Sequence, residues 1–332
     1  VSTTCRAVVS GLTLAGLAVI LFAVRLGVSD YPMSPVDVAR ILLGGGTRIE
    51  NVVVFENQLP IGLVGLIVGF AFGMAGSLTQ LVARNPLATP DLLGITSGAS
   101  AAAVAWITVG PVWAAGISLP VAAVLGGLAS AVAMYLLSWR GGIDPVRLVL
   151  VGVALTAGMQ AIIAYLLTRA EIGQAHRAQL WIVGSVSGAD WPAVWAPLAV
   201  LVPAAVVVAA QSRNLRVLGF SEDTARGLGV NVARSTGSLL LVAVVVSAVA
   251  VSSAGPIAFV ALLAPLVATR LVRGGAPAPF VSGLTGACLV VAADIVCNTV
   301  LPAGVPVGVV TAGIGGPALI YLMVRLNRRA SA

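Results

Sequence analysis

The sequence predicts an all-α polytopic membrane protein of about ten transmembrane helices, and three observations lead there. Of its 332 residues 59% are hydrophobic and 9% charged, with a mean hydropathy of +1.08; soluble domains carry about a quarter charged residues. The apolar residues fall into repeated runs close to the roughly 20 that a helix needs to cross the hydrocarbon core. Alternating ten-residue barrel strands do not occur, which leaves helices to satisfy the backbone in lipid.

Taken in order, the spans fall near 6–27, 58–82, 91–110, 115–138, 147–168, 193–211, 235–253, 256–271, 278–300 and 307–325. The first is too long for the apolar core of a cleaved signal and reads as a retained span. Between the first two, Ser34 to Leu43 predicts a short surface helix with a Ser cap and Pro35 at its first position. Ala178 to Val186 predicts another, ended by Gly184 and Gly188. The 256–271 stretch is short for a crossing and is interrupted by Pro256 and Pro265, as in a half-helix joined to a span.

An even number of spans puts both termini on one side. That side then holds Arg6, Arg84, Arg140, Arg147, Arg213, Arg216, Arg226, Arg234, Arg270, Arg273, Arg325, Arg328 and Arg329. The other holds Arg25, Arg40, Arg48, Arg169 and Arg177. The asymmetry places the termini and the 213–234 loop in the cytoplasm. Arginines flanking spans also account for the net charge of +7 without invoking nucleic acid.

The basic residues are all arginine. A P-loop needs a lysine to reach the β- and γ-phosphates, so the chain holds no such ATPase and reads as a non-enzyme. Cys288 and Cys297, nine residues apart on one predicted helix, are about 13 Å apart along it, too far for a disulfide. Cys5 reads with them as small filler. His176, the only histidine, falls in an outer loop. Gly184-Ser185-Val186-Ser187-Gly188 and Thr96-Ser97-Gly98-Ala99-Ser100 read as close-packing residues rather than nucleophiles. Asp294 is the one carboxylate well inside a span, with Asn298 one turn on as its hydrogen-bond partner. With no second buried acid and no buried base, a proton relay lacks partners.

Two polar segments on the cytoplasmic side carry more information. In Ala83-Arg84-Asn85-Pro86-Leu87-Ala88-Thr89-Pro90-Asp91-Leu92-Leu93-Gly94, Asn85-Pro86 starts a turn. Thr89 is placed to cap a helix with Pro90 first and Asp91 at its positive end. In the long loop, Ser221 is placed to cap a short helix through Arg226, broken by Gly227 and Gly229 before Asn231 or Val232 starts the next. Leu218, Phe220, Ala225, Leu228 and Val230 are apolar knobs among Glu222, Asp223 and Arg226. Such a helix suits the groove of a soluble partner.

These residues carry a resemblance. The chain is similar over nearly its whole length to the FecCD-type permeases of ABC importers for iron–siderophore, haem or vitamin B12. The resemblance rests on Arg84-Asn85-Pro86-Leu87-Ala88 through Leu93-Gly94, Ser97-Gly98-Ala99, Gly152-Val153-Ala154-Leu155 and Trp181 to Gly188. It continues through the Leu218–Val230 loop, Gly255-Pro256-Ile257-Ala258-Phe259-Val260 with Pro265, Ala293-Asp294-Ile295, and Pro306 to Thr311 with Gly316-Pro317.

The resemblance implies a single permease domain over 1–332 that dimerises around a central pathway in a bacterial inner membrane. It implies a cytosolic ATPase dimer below and an extracytoplasmic binding protein above. No cofactor belongs to this chain, and ATP with magnesium sits on the partner ATPase. Ser221, Glu222, Asp223, Ala225, Arg226, Leu228, Gly229 and Val230 would form the coupling surface, with Arg84, Asn85 and Pro86 nearby. Gln80, Gln160 and Tyr165 are candidate pathway residues. The family's usual Arg-Leu-Pro-Arg for binding-protein docking is here Gln58-Leu59-Pro60-Ile61, and Asn298 stands where another outward arginine is common. All three positions are uncharged: either docking is less electrostatic here, or a paralogous permease in the same complex supplies the charges, and a heterodimer is the expectation. Ferric siderophores are the expected cargo; an ion-gradient-driven secondary transporter is the rival reading.

Overall fold

The computed structural model describes residues 3–28, 33–113, 117–139, 145–220, 222–273, 277–302 and 304–330, and all regular structure within them is helical. Ser221 and Arg140 lie outside the described residues, as do the side chains of Glu222, Arg325, Arg328 and Arg329. Among the described residues seven helices are long and apolar enough to span a membrane, and the shorter apolar helices Ile95–Gly110, Val260–Val272 and Val307–Tyr321 join them. The expected set of crossings is present.

The chain enters through α1 (Thr3–Gly27), then α2 (Pro35–Leu42) and α3 (Arg48–Asn51). Ser34 caps α2 as expected: its hydroxyl accepts from the Asp37 amide at 3.2 Å, and Asp37 accepts back from the Ser34 amide. Thr47 and Glu50 repeat this capping box on α3. The Ser34 hydroxyl holds the Asp37 carboxyl below its ordinary range, and the Thr47 amide does the same for Glu50. Arg40 bridges to Glu50 at 3.3 Å and ties the two short helices together.

Helix α3 does not end in a loop. It runs through a π-helical stretch, Val52–Gln58, into α4 (Leu59–Val82). Pro60 cannot donate to the preceding turn, and the wider register just before it, with the Leu59 amide on the Val54 carbonyl, lets the helix continue. The second span is therefore the buried end of a 35-residue apolar rod, Arg48–Val82.

The middle of the chain gives α5 (Ile95–Trp113), α6 (Leu119–Ser138), α7 (Pro145–Arg169), α8 (Ile172–Val183) and α9 (Trp191–Ala210). Helix α8 begins six residues before the sequence reading placed it and stops at Gly184; His176 sits on it, not in a loop. Three short steps follow, α10 (Ser212–Leu218), α11 (Glu222–Gly227) and α12 (Val232–Ala254). The chain closes with α13 (Val260–Val272), α14 (Pro279–Thr299) and α15 (Val307–Ala330). Residues 256–259 are extended and turn-like, with Phe259 at φ 64°, so the short 256–271 stretch is a half-helix preceded by irregular backbone.

The centre of the bundle is α4, packed along its length on α14 and also on α12 and α13. In its apolar stretch 78% of residues are buried, against 17% in α7 and 22% in α9, so α7 and α9 present faces that this chain alone does not cover. Helices approach this closely because small residues line the seam. A Cβ on Gly73 would overlap the Ser282 carbonyl of α14, and one on Gly76 would overlap the Ala261 carbonyl of α13.

One polar cluster is buried where α1, α4 and α14 meet. Arg25 Nε donates to the Asp294 carboxylate. Arg25 also donates to Gln58 Oε1 at 2.6 Å and to the Val28 carbonyl at 2.8 Å. Asn298 Nδ2 donates to the Asp294 carboxylate at 3.1 Å. The expected Asp294–Asn298 bond is present, but Asp294 does have a buried base: Arg25 is only 3% exposed. It is the internal partner of an intramembrane carboxylate, not an orienting surface charge.

Two outcomes test this packing. Gly76→Ala should destabilise the detergent-solubilised protein by about 1–3 kcal/mol, while Gly16→Ala, with nothing within 4 Å of the added carbon, should leave the thermal midpoint unchanged. Arg25→Met should cost roughly 3–5 kcal/mol by stranding Asp294, and Arg25→Met with Asp294→Leu should recover most of it. Equal loss in the single and double variants would refute the pairing.

Candidate functional site

The segment expected to meet a soluble partner is a set of three helices with short turns between them. Leu215 and Leu218 of α10 are buried, and Ala225 anchors α11 with no exposure. Leu228 donates to the Thr224 carbonyl and Val230 to that of Ala225, with Gly229 at φ +80° ending the helix. That left-handed value is why a glycine stands there. Asn231 then caps α12 by accepting from the Arg234 amide at 3.0 Å. Asn214 to Ser235 and Ser238 to Gln211 stitch the start of this segment to α12. Leu218 and Ala225 are therefore inward anchors, not knobs, and Val230 is only partly exposed. The apolar residues that stand out are Phe220 and Leu228, each 62% exposed, beside exposed Asp223 and Arg226.

Counting crossings from α4 to α9 puts the Arg84 turn at the same end of the bundle. Arg84 adopts φ 47°. The Asn85 side chain accepts from the Leu87 amide at 2.9 Å, and its carbonyl accepts from Ala88. Pro86 is exposed at the tip. Thr89 makes no side-chain cap; Pro90–Leu93 form a single tight helical turn, and Gly94 at φ 77° redirects the chain into α5. The turn is locked from neighbouring helices. The Ser130 hydroxyl donates to the Gly94 carbonyl at 2.7 Å, and that of Thr156 donates to the Asp91 carbonyl at 3.3 Å. A side chain at Gly152 would overlap the Leu92 carbonyl, so α7 can approach only with glycine there.

Behind this turn lies a cavity of about 560 Å³ between α5, α7, α8, the 256–258 segment and α15. Asp91, Thr96, Ser97, Ser100, Thr156 and Gln160 supply its polar wall. Of the three polar pathway candidates, Gln160 is there. Gln80 instead donates to the Leu262 carbonyl at 3.4 Å, joining α4 to α13. Tyr165 is 60% exposed further along α7, with the Arg169 guanidinium 5.9 Å from its ring. A second, larger cavity of about 890 Å³ opens at the other end, with Arg177 and Asp190 among its lining residues.

The three docking candidates are not an exposed patch in this chain. Gln58 and Ile61 are buried, at 7% and 6%. Gln58 is turned onto Arg25, and the exposed Asn298 spends its amide on Asp294. At that end the exposed cations are Arg40, Arg48, Arg169 and Arg177. Sequence reading missed Arg25 as the partner of Asp294, although an arginine inside the predicted 6–27 span was the available signal. It also missed Thr156 and Asp91 as neighbours, which only the packing of α7 on the turn reveals. Among the described residues no three His, Cys, Asp or Glu side chains converge as a metal site.

The family model described as the FecCD transport family matches residues 17–325. The chain is 36% identical to the ferric enterobactin transport system permease protein FepG of Escherichia coli (strain K12), covering 98% of this chain and 97% of that one. It is 35% identical to the iron(3+)-hydroxamate import system permease protein FhuG of Bacillus subtilis (strain 168), covering 94% and 95%. A solved chain of a metal-chelate type ABC transporter in an inward-facing conformation superposes with a TM-score of 0.82 at 24% identity, over 95% of this chain and 98% of that one. The family match over residues 17–325 and the full-length similarity to these permeases, carried on a multi-helix apolar bundle, show that the chain belongs to the FecCD transport family of ABC importer permeases.

Proposed function

We propose that this chain forms one half of the translocation pathway of an ATP-driven importer of ferric siderophores. It works by alternating access in a bacterial inner membrane with both termini in the cytoplasm. The observation that carries this reading is the α10–α12 segment: a short helix anchored inward by Ala225, continuous with a buried span through the Asn231 cap, and presenting Phe220 and Leu228 outward. A helix held this way transmits a push to the bundle instead of absorbing it.

The partner below is a cytosolic ATPase dimer, which carries ATP and magnesium and receives α11 and the Arg84–Pro86 turn. The partner beside it is a second permease, a paralogue rather than a copy, which covers the open faces of α7 and α9. The partner above is an extracytoplasmic binding protein. With Gln58 and Ile61 turned inward, its docking here falls to the exposed arginines of α2, α3, α7 and α8 and to the second permease. Charge complementarity sets encounter rate and register more than affinity, so the altered positions are compatible with docking. The remaining surface meets lipid.

Leu228→Asp should lower ATP-driven uptake by an order of magnitude or more, because a charge replaces a desolvated apolar contact at the centre of an interface. The thermal midpoint should be unchanged, since Leu228 is exposed. Uptake by the intact complex in proteoliposomes, compared with wild type, reads this out; full uptake would remove α11 from the coupling path. Native mass spectrometry of the tagged complex should find two different permease chains with two ATPases. Two copies of this chain alone would exclude the heterodimer, and uptake driven by an ion gradient without ATP would favour a secondary transporter.

A further inference from the structure

The fold brings three arginines to one corner of the bundle without an acid to pair with them. Arg25 of α1 reaches Asp294 of α14, and nearer its start the Leu14 carbonyl accepts from Cys288 Sγ at 3.5 Å. Helices α1 and α14 therefore run in the same direction. Helix α14 starts six residues after Arg273 (279 − 273), where α13 ends. The beginning of α1, with Arg6, thus lies beside the end of α13, with Arg270 and Arg273, and Ala7, Val272 and Ala278 share one small apolar cluster. Arg213 and Arg216 of α10 extend the positive surface, since a Cβ on Gly219 would touch the Pro277 ring at 3.7 Å. The sequence has no acid before Asp30 and one, Asp294, after Asp223. Asp294 is spent on Arg25, fifteen residues into α14 (294 − 279). Among the described residues Arg6, Arg270 and Arg273 form no ion pair.

Orientation in the membrane needs a surplus of positive charge at this end and nothing more specific. Arg273 goes further. It stands at φ 52°, in the left-handed region, and ends α13 with its amide on the Thr269 carbonyl at 3.0 Å. Glycine is the usual residue at such a position, and Gly274 and Gly275 follow directly. A charged side chain is kept where glycine would fit without strain. Arg270, three residues earlier, lies on the same helical face, beside exposed Val267 and Leu271. On α1, exposed Leu17 and Ile20 continue the helical row that Arg6 begins, and 6% of the apolar stretch is buried. Helix α1 packs on α2, α4, α13 and α14, whereas α7 packs on α5, α6 and the Pro90–Leu93 turn. A second permease covering α7 therefore stands on another side. A cytosolic protein would meet the arginines and leave the apolar stripe bare; an acyl chain with an anionic headgroup covers both.

We propose that this corner holds an anionic phospholipid, its phosphate among Arg6, Arg270 and Arg273 and its acyl chains along α1 and α13. Basic clusters at the ends of spans bind such headgroups, and a guanidinium matches two phosphate oxygens at once. The bound lipid ties down the start of α1, a helix whose polar anchor, Arg25, is at its far end.

The test uses the tagged chain purified with its accompanying subunits in mild detergent, delipidated and then titrated with phosphatidylglycerol, cardiolipin or phosphatidylcholine. Native mass spectrometry counts the bound lipid, and the thermal midpoint is read beside it. Wild type should bind the two anionic lipids and gain thermal stability from them, and do neither with phosphatidylcholine. Arg6→Gln and Arg270→Gln should each weaken anionic-lipid binding about fivefold. Arg273→Gly should weaken it as much without lowering the midpoint of the delipidated protein, because it relieves the left-handed position; lost binding in this variant is then not a folding defect. Added salt should weaken binding to wild type more than to the triple variant. Equal binding of phosphatidylcholine, unchanged anionic-lipid binding in the triple variant, or equal stabilisation by inorganic phosphate would overturn the proposal. Loss of an accompanying ATPase from the triple variant with lipid binding intact would also overturn it, and would give the arginines to a cytosolic partner.

Discussion

The constraint on which the rest of this structure depends is the backbone contact along α4. In lipid the hydrophobic effect does not drive helices together, since the tails are as apolar as leucine, so association rests on close van der Waals packing and hydrogen bonds. Gly73 and Gly76 let α4 seat directly on the carbonyls of Ser282 and Ala261, and Gly69 and Gly286 face each other along the same seam. Distances this short leave no room for sliding. Helices α4, α13 and α14 therefore behave as one block, and the segments attached to its two ends inherit fixed positions.

The buried polar cluster completes that block near the start of α4. An isolated charge inside a membrane span is costly; here Asp294 is offset by Arg25, and both spend remaining hydrogen-bonding capacity on Gln58, Asn298 and the Val28 carbonyl. A pair satisfied in this way contributes less to stability than to register. It fixes the rotation of α1, a helix with little burial of its own, relative to α4 and α14. Gln58 suits this role as arginine would not, because a second guanidinium beside Arg25 would face it with like charge.

Much of this was legible from sequence because it is local. Apolar runs mark the spans, Ser34-Pro35 marks α2, and Gly229 with Asn231 marks the end of α11 and the cap of α12. What was not legible depends on which side of a short helix faces the bundle. Leu218 and Ala225 carry the same apolar signal as Phe220 and Leu228, and only packing against the neighbouring helices separates anchor from knob. The 48–58 stretch was opaque for a related reason: the π-helical passage into Pro60 has no compositional signature. Gln80 and Gln160 illustrate the limit at the site. Both are glutamines within a predicted span, Gln80 near the end of α4 and Gln160 inside α7, yet one is spent on the Leu262 carbonyl and the other lines the cavity.

The exposed α10–α12 segment and the 560 Å³ cavity are joined by a physical route. Helix α11 feeds α12 through the Asn231 cap, and α12 packs on α4, α6 and the Pro90–Leu93 turn. That turn is held by Ser130 of α6 and Thr156 of α7 and carries Asp91 into the cavity. A displacement of α11 therefore reaches the cavity wall through packed helices with little slack. The turn is held to α6 and α7 by two side-chain hydrogen bonds and by the close glycine approach of α7, so its position is set by its neighbours and not by a helical seam of its own.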